Sequence, residues 1–171
     1  MFVVTSRSPF DDAFAHHVWA TLRLIDACLS LTEEQLDVAV PGTYGSILET
    51  TRHFVGGDSY YLSHLTGARQ VDTDDMELPE LRAVMEADER LWIAFLATDP
   101  DTDAVVKDVD DDGYERDASI GIRLAQALQH GTEHRSQVCT VLTTLAVEPP
   151  GIDVWDFGAQ TGRVVDIAPA S

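Results

Sequence analysis

The sequence has few cysteines, few basic residues and no long apolar run. Its two cysteines, Cys28 and Cys139, lie far apart within apolar helical patterns, which favours buried free thiols in a reducing compartment over a disulfide. No apolar run approaches the roughly 20 residues of a bilayer-spanning helix, so we expect no membrane association. Because the first residues lack a charged segment followed by a long apolar one, we expect no signal peptide and a cytoplasmic location.

The charge of the chain is strongly one-sided. Eleven lysines and arginines stand against 30 acidic residues, which gives a formal net charge of −19. A field of that sign repels phosphate backbones, so we expect no nucleic-acid partner. Hydrophobic residues nevertheless make up 44% of the chain, which argues against disorder. With 171 residues, the chain is long enough for one domain, residues 1–171, with a core of its own.

Apolar residues recur at helical spacing in four stretches of the sequence. The predicted helices lie near residues 9–30, 46–66, 79–98 and 118–145. Two pairs of residues, Thr32 with Gln35 and Ser46 with Glu49, have the spacing of a helix-starting capping box, and Gly67 is a typical helix stop. Because each long helix has one apolar stripe to bury, the most economical arrangement is an all-α fold, a four-helix bundle.

Two connections between the predicted helices are acidic, and the first, residues 68–77, is expected to be a solvated loop. In the second, four residues match the opening of a calcium loop: Asp108, Asp110, Asp112 and Gly113. The match then fails, since the twelfth position is Ser119 instead of a bidentate glutamate and Arg116 occupies a ligand position. The pair Asp112-Gly113, flanked by apolar residues, instead predicts the turn of a short β-hairpin before the last helix.

The stretch LQHGTEHRSQV, residues 128–138, places His130 and His134 four residues apart on the last predicted helix. Residues at this spacing project from one helical face, so two imidazoles can reach one divalent metal ion. Val138 and Val141 continue the same face, which indicates that the pair points into the bundle. Both interpretations stay open from the pair alone: a metal site, or two buried histidines with hydrogen bonds to neighbouring helices.

A third metal ligand would have to come from elsewhere, and His53 on the second long helix is the natural candidate. It lies off the apolar stripe of that helix, which favours a surface position unless a cleft opens at the margin of the bundle. The pair Gly56-Gly57 is costly in a helix interior and would be explained by close backbone approach beside such a cleft. We expect the remaining histidines to lie outside the site: His16, His17 and His64.

Two segments together resemble the DinB/YfiT family of bacterial metal-binding four-helix bundles. They are ILETTRHFVGGDSYYLSHLTG and IRLAQALQHGTEHRSQVCTVLTTLAVEPPGIDVWDF. Members combine one histidine on the second long helix with an H-x-x-x-H-R-x-Q stretch on the last, which is present here as His130, His134, Arg135 and Gln137. The resemblance covers nearly the whole chain. It implies a bundle with a hairpin before the last helix, a divalent metal held by His53, His130 and His134, and a homodimer as a common state.

The resemblance also implies a function. Three imidazoles with an open fourth position suit catalysis, and zinc, nickel and iron all accept imidazole ligands. Similar proteins include transferases that join low-molecular-weight thiols to electrophiles, and thiol-dependent isomerases. The implied activity is a metal-dependent enzyme that keeps such a thiol deprotonated and presents it to a small-molecule substrate. The alternatives are a hydrolase that uses hydroxide bound to the metal and a non-catalytic metal or small-molecule binding module.

Two polar residues on inward faces are candidates for supporting the site. Asp88 falls in the centre of the apolar stripe of the third long helix, where an unpaired carboxylate is costly. It is either an acceptor for the N–H of a ligand imidazole or, as we favour, a structural partner of a nearby tyrosine, tryptophan or arginine. Gln137 lies beyond His134 on the same face and either lines the site or packs as an ordinary helix amide.

Overall fold

The computed structural model describes residues 8–109, 113–165 and 167. In chain order its elements are α1 (Pro9–Cys28), α2 (Glu33–Leu36), α3 (Ile47–Thr66), α4 (Leu78–Leu96), β1 (Val105–Val109), β2 (Glu115–Ser119), α5 (Ile120–Thr144) and α6 (Val154–Gln160). The predicted bundle is confirmed, since the long helices α1, α3, α4 and α5 lie close to their predicted bounds. The pattern does not predict α6, because its 7 residues are too few to show a helical period.

Local hydrogen bonds at capping residues begin α1, α2 and α3. At α3, the Ser46 hydroxyl accepts from the backbone N–H of Glu49 at 3.2 Å, and the Glu49 carboxylate accepts from the N–H of Ser46 at 2.8 Å. Ser8 and Thr32 begin α1 and α2 with the same reciprocal pattern. Gly67 ends α3 at a φ of +73°, in the left-handed region that costs glycine little. These short-range bonds position α3 and its histidine.

The core of the bundle has two apolar clusters. One contains Leu24, Phe54, Leu81 and Val141, among others. The other contains Phe14, Leu62, Trp92 and Leu124, among others. Between the clusters, buried polar side chains lie along three of the helices: Thr21 on α1, Asp58 on α3 and Arg135 on α5. Burying such groups is costly unless they form hydrogen bonds with one another. The side chains of this polar layer therefore need hydrogen-bond partners within the bundle.

The hairpin predicted before the last helix is confirmed. Strands β1 and β2 pair antiparallel, with Val105 opposite Ser119. Of the predicted turn, Gly113 has a φ of +83°, as a tight turn requires. Asp112, like Asp110 of the calcium-like pattern, lies outside the described residues.

Asp108 attaches this hairpin to the bundle. The side chain is buried. Its carboxylate accepts a hydrogen bond from the Tyr60 hydroxyl and lies 2.7 Å from Nε2 of His64. The Arg123 guanidinium is 3.7 Å away. The first residue of the calcium-like pattern is therefore engaged by side chains of α3 and α5.

The two cysteines are free thiols that differ in burial. Cys28 is a buried free thiol and Cys139 is a partly buried one. Burial raises the pKa of Cys28 to about 12, so this thiol stays protonated near neutral pH and is a poor nucleophile.

Across the described ranges, none of the helices combines the length and the apolar character that crossing a membrane requires.

Candidate metal centre

Three histidines from two packed helices meet at one margin of the bundle. His53 is on α3, and His130 and His134 are on α5. One ring nitrogen of each lies within 4.8 Å of those of the other two. The ring centroids are 4.8 Å apart for His53 and His130, 4.7 Å for His53 and His134, and 4.5 Å for His130 and His134. The structure thus brings together the three residues that the sequence proposes as metal ligands.

A cleft of about 700 Å³ opens beside His53 and His130. Its walls are one face of α3 and the connection at residues 70–74. This connection is docked on α3, because the Val71 N–H donates to the Ser59 hydroxyl at 2.8 Å and the Thr73 hydroxyl donates to the Arg52 carbonyl at 2.9 Å. That part of the acidic segment is therefore a wall of the cleft, while Gln70, Asp72 and Asp74 stay exposed, as expected of a solvated loop. His53 lies off the apolar stripe because it faces this cleft.

Gln137 fixes the position of the proton on His134. The backbone N–H of Tyr44 donates to Oε1 of Gln137 at 2.9 Å, so this side-chain atom acts as an acceptor. The same Oε1 lies 3.0 Å from Nδ1 of His134. Since the oxygen accepts, Nδ1 carries the proton and Nε2 keeps a lone pair, the form in which imidazole binds a metal. Gln137 therefore contacts a site imidazole.

Tyr44 is a site residue that the sequence did not reveal. Its ring stacks on His53 with centroids 4.0 Å apart and an interplanar angle of 13°. The centroid of its ring is also 5.5 Å from that of His134, with the two ring planes nearly perpendicular. The residue lies between α2 and α3, where the break VPGTYG predicts a turn. A turn signal does not say which side chain the turn presents, so nothing local pointed to this ring.

Gly57 allows α3 to approach the imidazole of His130. A Cβ at this position would lie 2.6 Å from Cε1 and 3.0 Å from Nδ1 of His130. Such distances require the ring to move, so the glycine is explained by close approach, as the sequence suggested. A Cβ at Gly56 would instead meet the hydroxyl oxygen of Thr73 at 2.5 Å. Only the second glycine of the pair is therefore tied directly to a site histidine.

The electrostatics of the cluster keep the imidazoles of His53 and His130 neutral. Burial, together with the neighbouring His134 and His53, lowers the pKa of His130 to about 4. Burial and His134 also lower the pKa of His53 below its ordinary value. Near neutral pH both rings therefore carry the unprotonated nitrogens that a metal requires.

The spacing of the nitrogens suits one ion. Nε2 of His130 is 3.0 Å from Nε2 of His53. Two imidazole nitrogens bound tetrahedrally at roughly 2.0–2.1 Å from one zinc ion are about 3.3 Å apart. A shift of a few tenths of an ångström would accommodate the ion between these two side chains. The residues present therefore fit a divalent metal.

Comparison with known proteins places this chain in a family. The model of the DinB family matches residues 1–163 of the chain. The chain belongs to the DinB family. It is similar to the crystal structure of a DinB-like protein from Bacillus cereus, with a TM-score of 0.64 and 17% sequence identity over 83% of this chain and 94% of that one. At this identity the likeness shows the fold alone. None of the curated proteins compared with the chain matches it.

The other histidines of this DinB chain lie apart from the cluster. Nε2 of His16 is 2.8 Å from the carbonyl oxygen of Ile152. His64 lies beside Asp108 at the hairpin. His17 is buried in the polar layer between the two apolar clusters. His16 and His64 are therefore suitable controls for the metal site, whereas replacing His17 would disturb the interior.

Asp88 is buried on α4 without the hydrogen bond that the sequence suggested. Its Oδ2 has no partner among the described residues, and neither has Nε1 of Trp92, one turn later. Burial, with a contribution from the charge of Asp58, raises the pKa of Asp88 to about 7. The folded protein thus holds a proton on Asp88 that the unfolded chain loses near pH 4.

This difference predicts a pH-dependent effect of Asp88→Asn. Since the folded state binds the extra proton between about pH 4 and pH 7, the wild type loses stability as pH rises through that range. The neutral amide avoids this loss. We expect the melting temperature of Asp88→Asn minus that of wild type to be several degrees higher at pH 8.5 than at pH 5. This follows from about 1.4 kcal/mol per pKa unit and about 2–4 °C per kcal/mol. Thermal denaturation at both pH values measures it, and parallel curves would contradict the burial argument.

Proposed function

We propose that this DinB-family chain is a divalent-metal-dependent enzyme that activates a low-molecular-weight thiol for transfer to a small electrophile or for an isomerisation. The observation that carries the proposal is the meeting of His53, His130 and His134 at the edge of an open cleft. Their imidazoles suit zinc, nickel or iron. Three protein ligands leave a coordination position for a further ligand, and the cleft gives that ligand access.

The side chains of the site supply position and a defined protonation state. When bound, a divalent metal would keep the sulfur of a thiol deprotonated near neutral pH. The chain itself presents unprotonated imidazole nitrogens, because Gln137 holds the proton of His134 on the opposite nitrogen. Tyr44 stacks on His53 and covers one side of its ring. These contacts orient the imidazoles before any ligand binds, which reduces the cost of forming the site.

The cleft suits small reactants that are not strongly anionic. Its volume of about 700 Å³ lies within the roughly 300–1,000 Å³ of small-molecule pockets. Asp72 and Asp74 contribute negative charge to its wall. Arg52 also lines the cleft, and its pairing with Glu77 at 3.0 Å offsets its positive charge. An uncharged thiol is therefore the appropriate first probe.

Thiol binding can be tested with cobalt in place of the natural metal. We expect cobalt-loaded protein titrated with 2-mercaptoethanol to develop sulfur-to-cobalt charge-transfer absorption that saturates at one thiol per site, because the open position accepts a thiolate. Turnover of 1-chloro-2,4-dinitrobenzene should then depend on both metal and thiol. Absorption spectroscopy and a thiol-dependence assay measure these effects.

Two variants and two alternative outcomes make the experiment decisive. His130→Ala should show no charge-transfer band, whereas His64→Gln, which changes a histidine beside the hairpin, should behave like wild type. Ester hydrolysis that requires metal but no thiol would identify the protein as a hydrolase instead. Metal uptake without thiol binding or turnover would identify a non-catalytic binding module.

A further inference from the structure

A buried hydrogen-bonded chain lies behind the three-histidine cluster. Nε2 of His17 is 2.7 Å from Oδ2 of Asp58, and Nη1 of Arg135 is 3.0 Å from Nδ1 of His17 and 3.1 Å from the hydroxyl of Thr21. All four side chains are almost fully buried, with exposures of 3% or less. The chain links α1, α3 and α5 at the level where α5 carries His130 and His134.

The direction of the hydrogen bonds in this chain follows from chemistry. A guanidinium group only donates, so Nδ1 of His17 must accept from Arg135. In a neutral imidazole the other nitrogen then carries the proton, and Nε2–H of His17 donates to Oδ2 of Asp58. The carboxylate of Asp58 is thus held in place through one oxygen. Its second oxygen, Oδ1, is buried and has no hydrogen-bond partner among the described residues.

A matching unpaired atom belongs to His130. Its Nδ1 is buried and also lacks a partner within the part of the chain that the structure describes. The ring edge that carries Nδ1 faces α3 at Gly57, the residue before Asp58. The charge of Asp58 is close enough to act on this imidazole. A buried polar atom without a hydrogen-bond partner is costly, and here there is one on α3 and one on the facing helix α5.

We propose that Asp58 is the positioning residue of His130: through one water molecule, or directly after a small movement of either side chain, it accepts a hydrogen bond from Nδ1–H of His130 and so leaves Nε2 unprotonated toward His53. Histidines that bind metals nearly always donate their other N–H to a carboxylate, a carbonyl or water. Gln137 serves His134 in the same way. Each histidine of α5 then has its own orienting partner. This inference rests on the proposed three-histidine metal site.

The test compares zinc affinity in two carboxylate variants of the full chain. Asp58→Asn should weaken zinc binding by roughly 10–100-fold, the usual effect of removing an orienting partner, as measured by competition with a chromophoric chelator. Asp88→Asn is the matched control, because it neutralises another buried carboxylate that has no contact with a site histidine. Its zinc affinity should stay within about threefold of wild type. Equal affinities for wild type and Asp58→Asn would overturn the proposal.

A second measurement begins with wild-type protein, so its first result does not depend on the variant folding. In zinc-loaded protein labelled with ¹⁵N, the nitrogen shifts of His130 should show a protonated Nδ1 and a metal-bound Nε2, and the Nδ1 proton should exchange slowly with water. In Asp58→Asn this proton should exchange faster while that of His134 is unchanged. Metal binding through Nδ1 of His130 would overturn the inference alone. Failure of the wild type to bind zinc would overturn both this inference and the proposed function.

Discussion

Replacing any one of His53, His130 and His134 with alanine should abolish stoichiometric zinc binding while leaving the helical content of the protein unchanged. Each substitution removes one of the three proposed ligands, so the loss of affinity should exceed the roughly 10–100-fold that follows from disturbing an orienting partner. The fold should survive because the histidines lie at the margin of the bundle, outside its two apolar clusters. Metal analysis of untagged protein, with circular dichroism on the same samples, measures both effects.

The controls for this experiment come from the same chain. His16→Gln and His64→Gln remove a histidine without touching the cluster and should bind zinc like wild type. The sequence predicted that His17 lies outside the site. It is nevertheless unsuitable as a control, because it holds Asp58 in the buried layer. If a single-alanine variant retains full occupancy, the three histidines do not form one metal site.

Gly57→Ala should lower zinc affinity at least about 10-fold without destabilising the helix that carries it. The added methyl group would lie 2.6 Å from Cε1 of His130, so the ring must move away from His53. Alanine at the same time favours the helix by roughly 0.8–1.0 kcal/mol over glycine. Affinity and stability are therefore expected to change in different directions, a combination that general unfolding does not produce. Chelator competition and thermal denaturation of the metal-free protein measure the two effects.

Gly56→Ala is the matched control for this substitution. It makes the same change one residue earlier in α3, but its methyl group would meet the Thr73 hydroxyl oxygen at 2.5 Å. We expect it to disturb the docked connection at residues 70–74 and to leave zinc affinity within about threefold of wild type. Equal losses of affinity in both variants would show that bending of α3, and not displacement of His130, is responsible.

The elements of the fold follow closely from local sequence. The capping pair of Ser46 and Glu49 forms the hydrogen bonds that its spacing predicts, and Gly67 ends α3 in the expected conformation. Such bonds join residues three or four positions apart, so the information needed to predict them is contained in the same segment. The hairpin followed for the same reason. Helix α6 did not, since a single short segment shows no period.

The candidate site was only partly accessible to the same reasoning. The spacing of His130 and His134 places them on one face of α5 whatever surrounds the helix. Periodicity placed His53 on the surface side of α3. The apolar stripe of a helix marks only the face that packs in the core, so a histidine that faces a cleft falls outside it. The pairing with α5 came from the family resemblance. For Asp88, the apolar stripe predicted the buried position correctly, but the expected hydrogen bond is not formed.

The sequence by itself determined four long helices, a hairpin before the last of them and a pair of histidines on one helical face, because each depends on contacts within a short segment. Only the tertiary structure decided that His53 and His130, 77 residues apart, bring their ring nitrogens to 3.0 Å. It also decided that Tyr44 stacks on His53 and that Asp58 is buried against His17. The physical reason is that helical periodicity states which face of a helix is buried. It does not state which side chain of a neighbouring helix or loop that face meets, and that depends on the packing of the whole bundle.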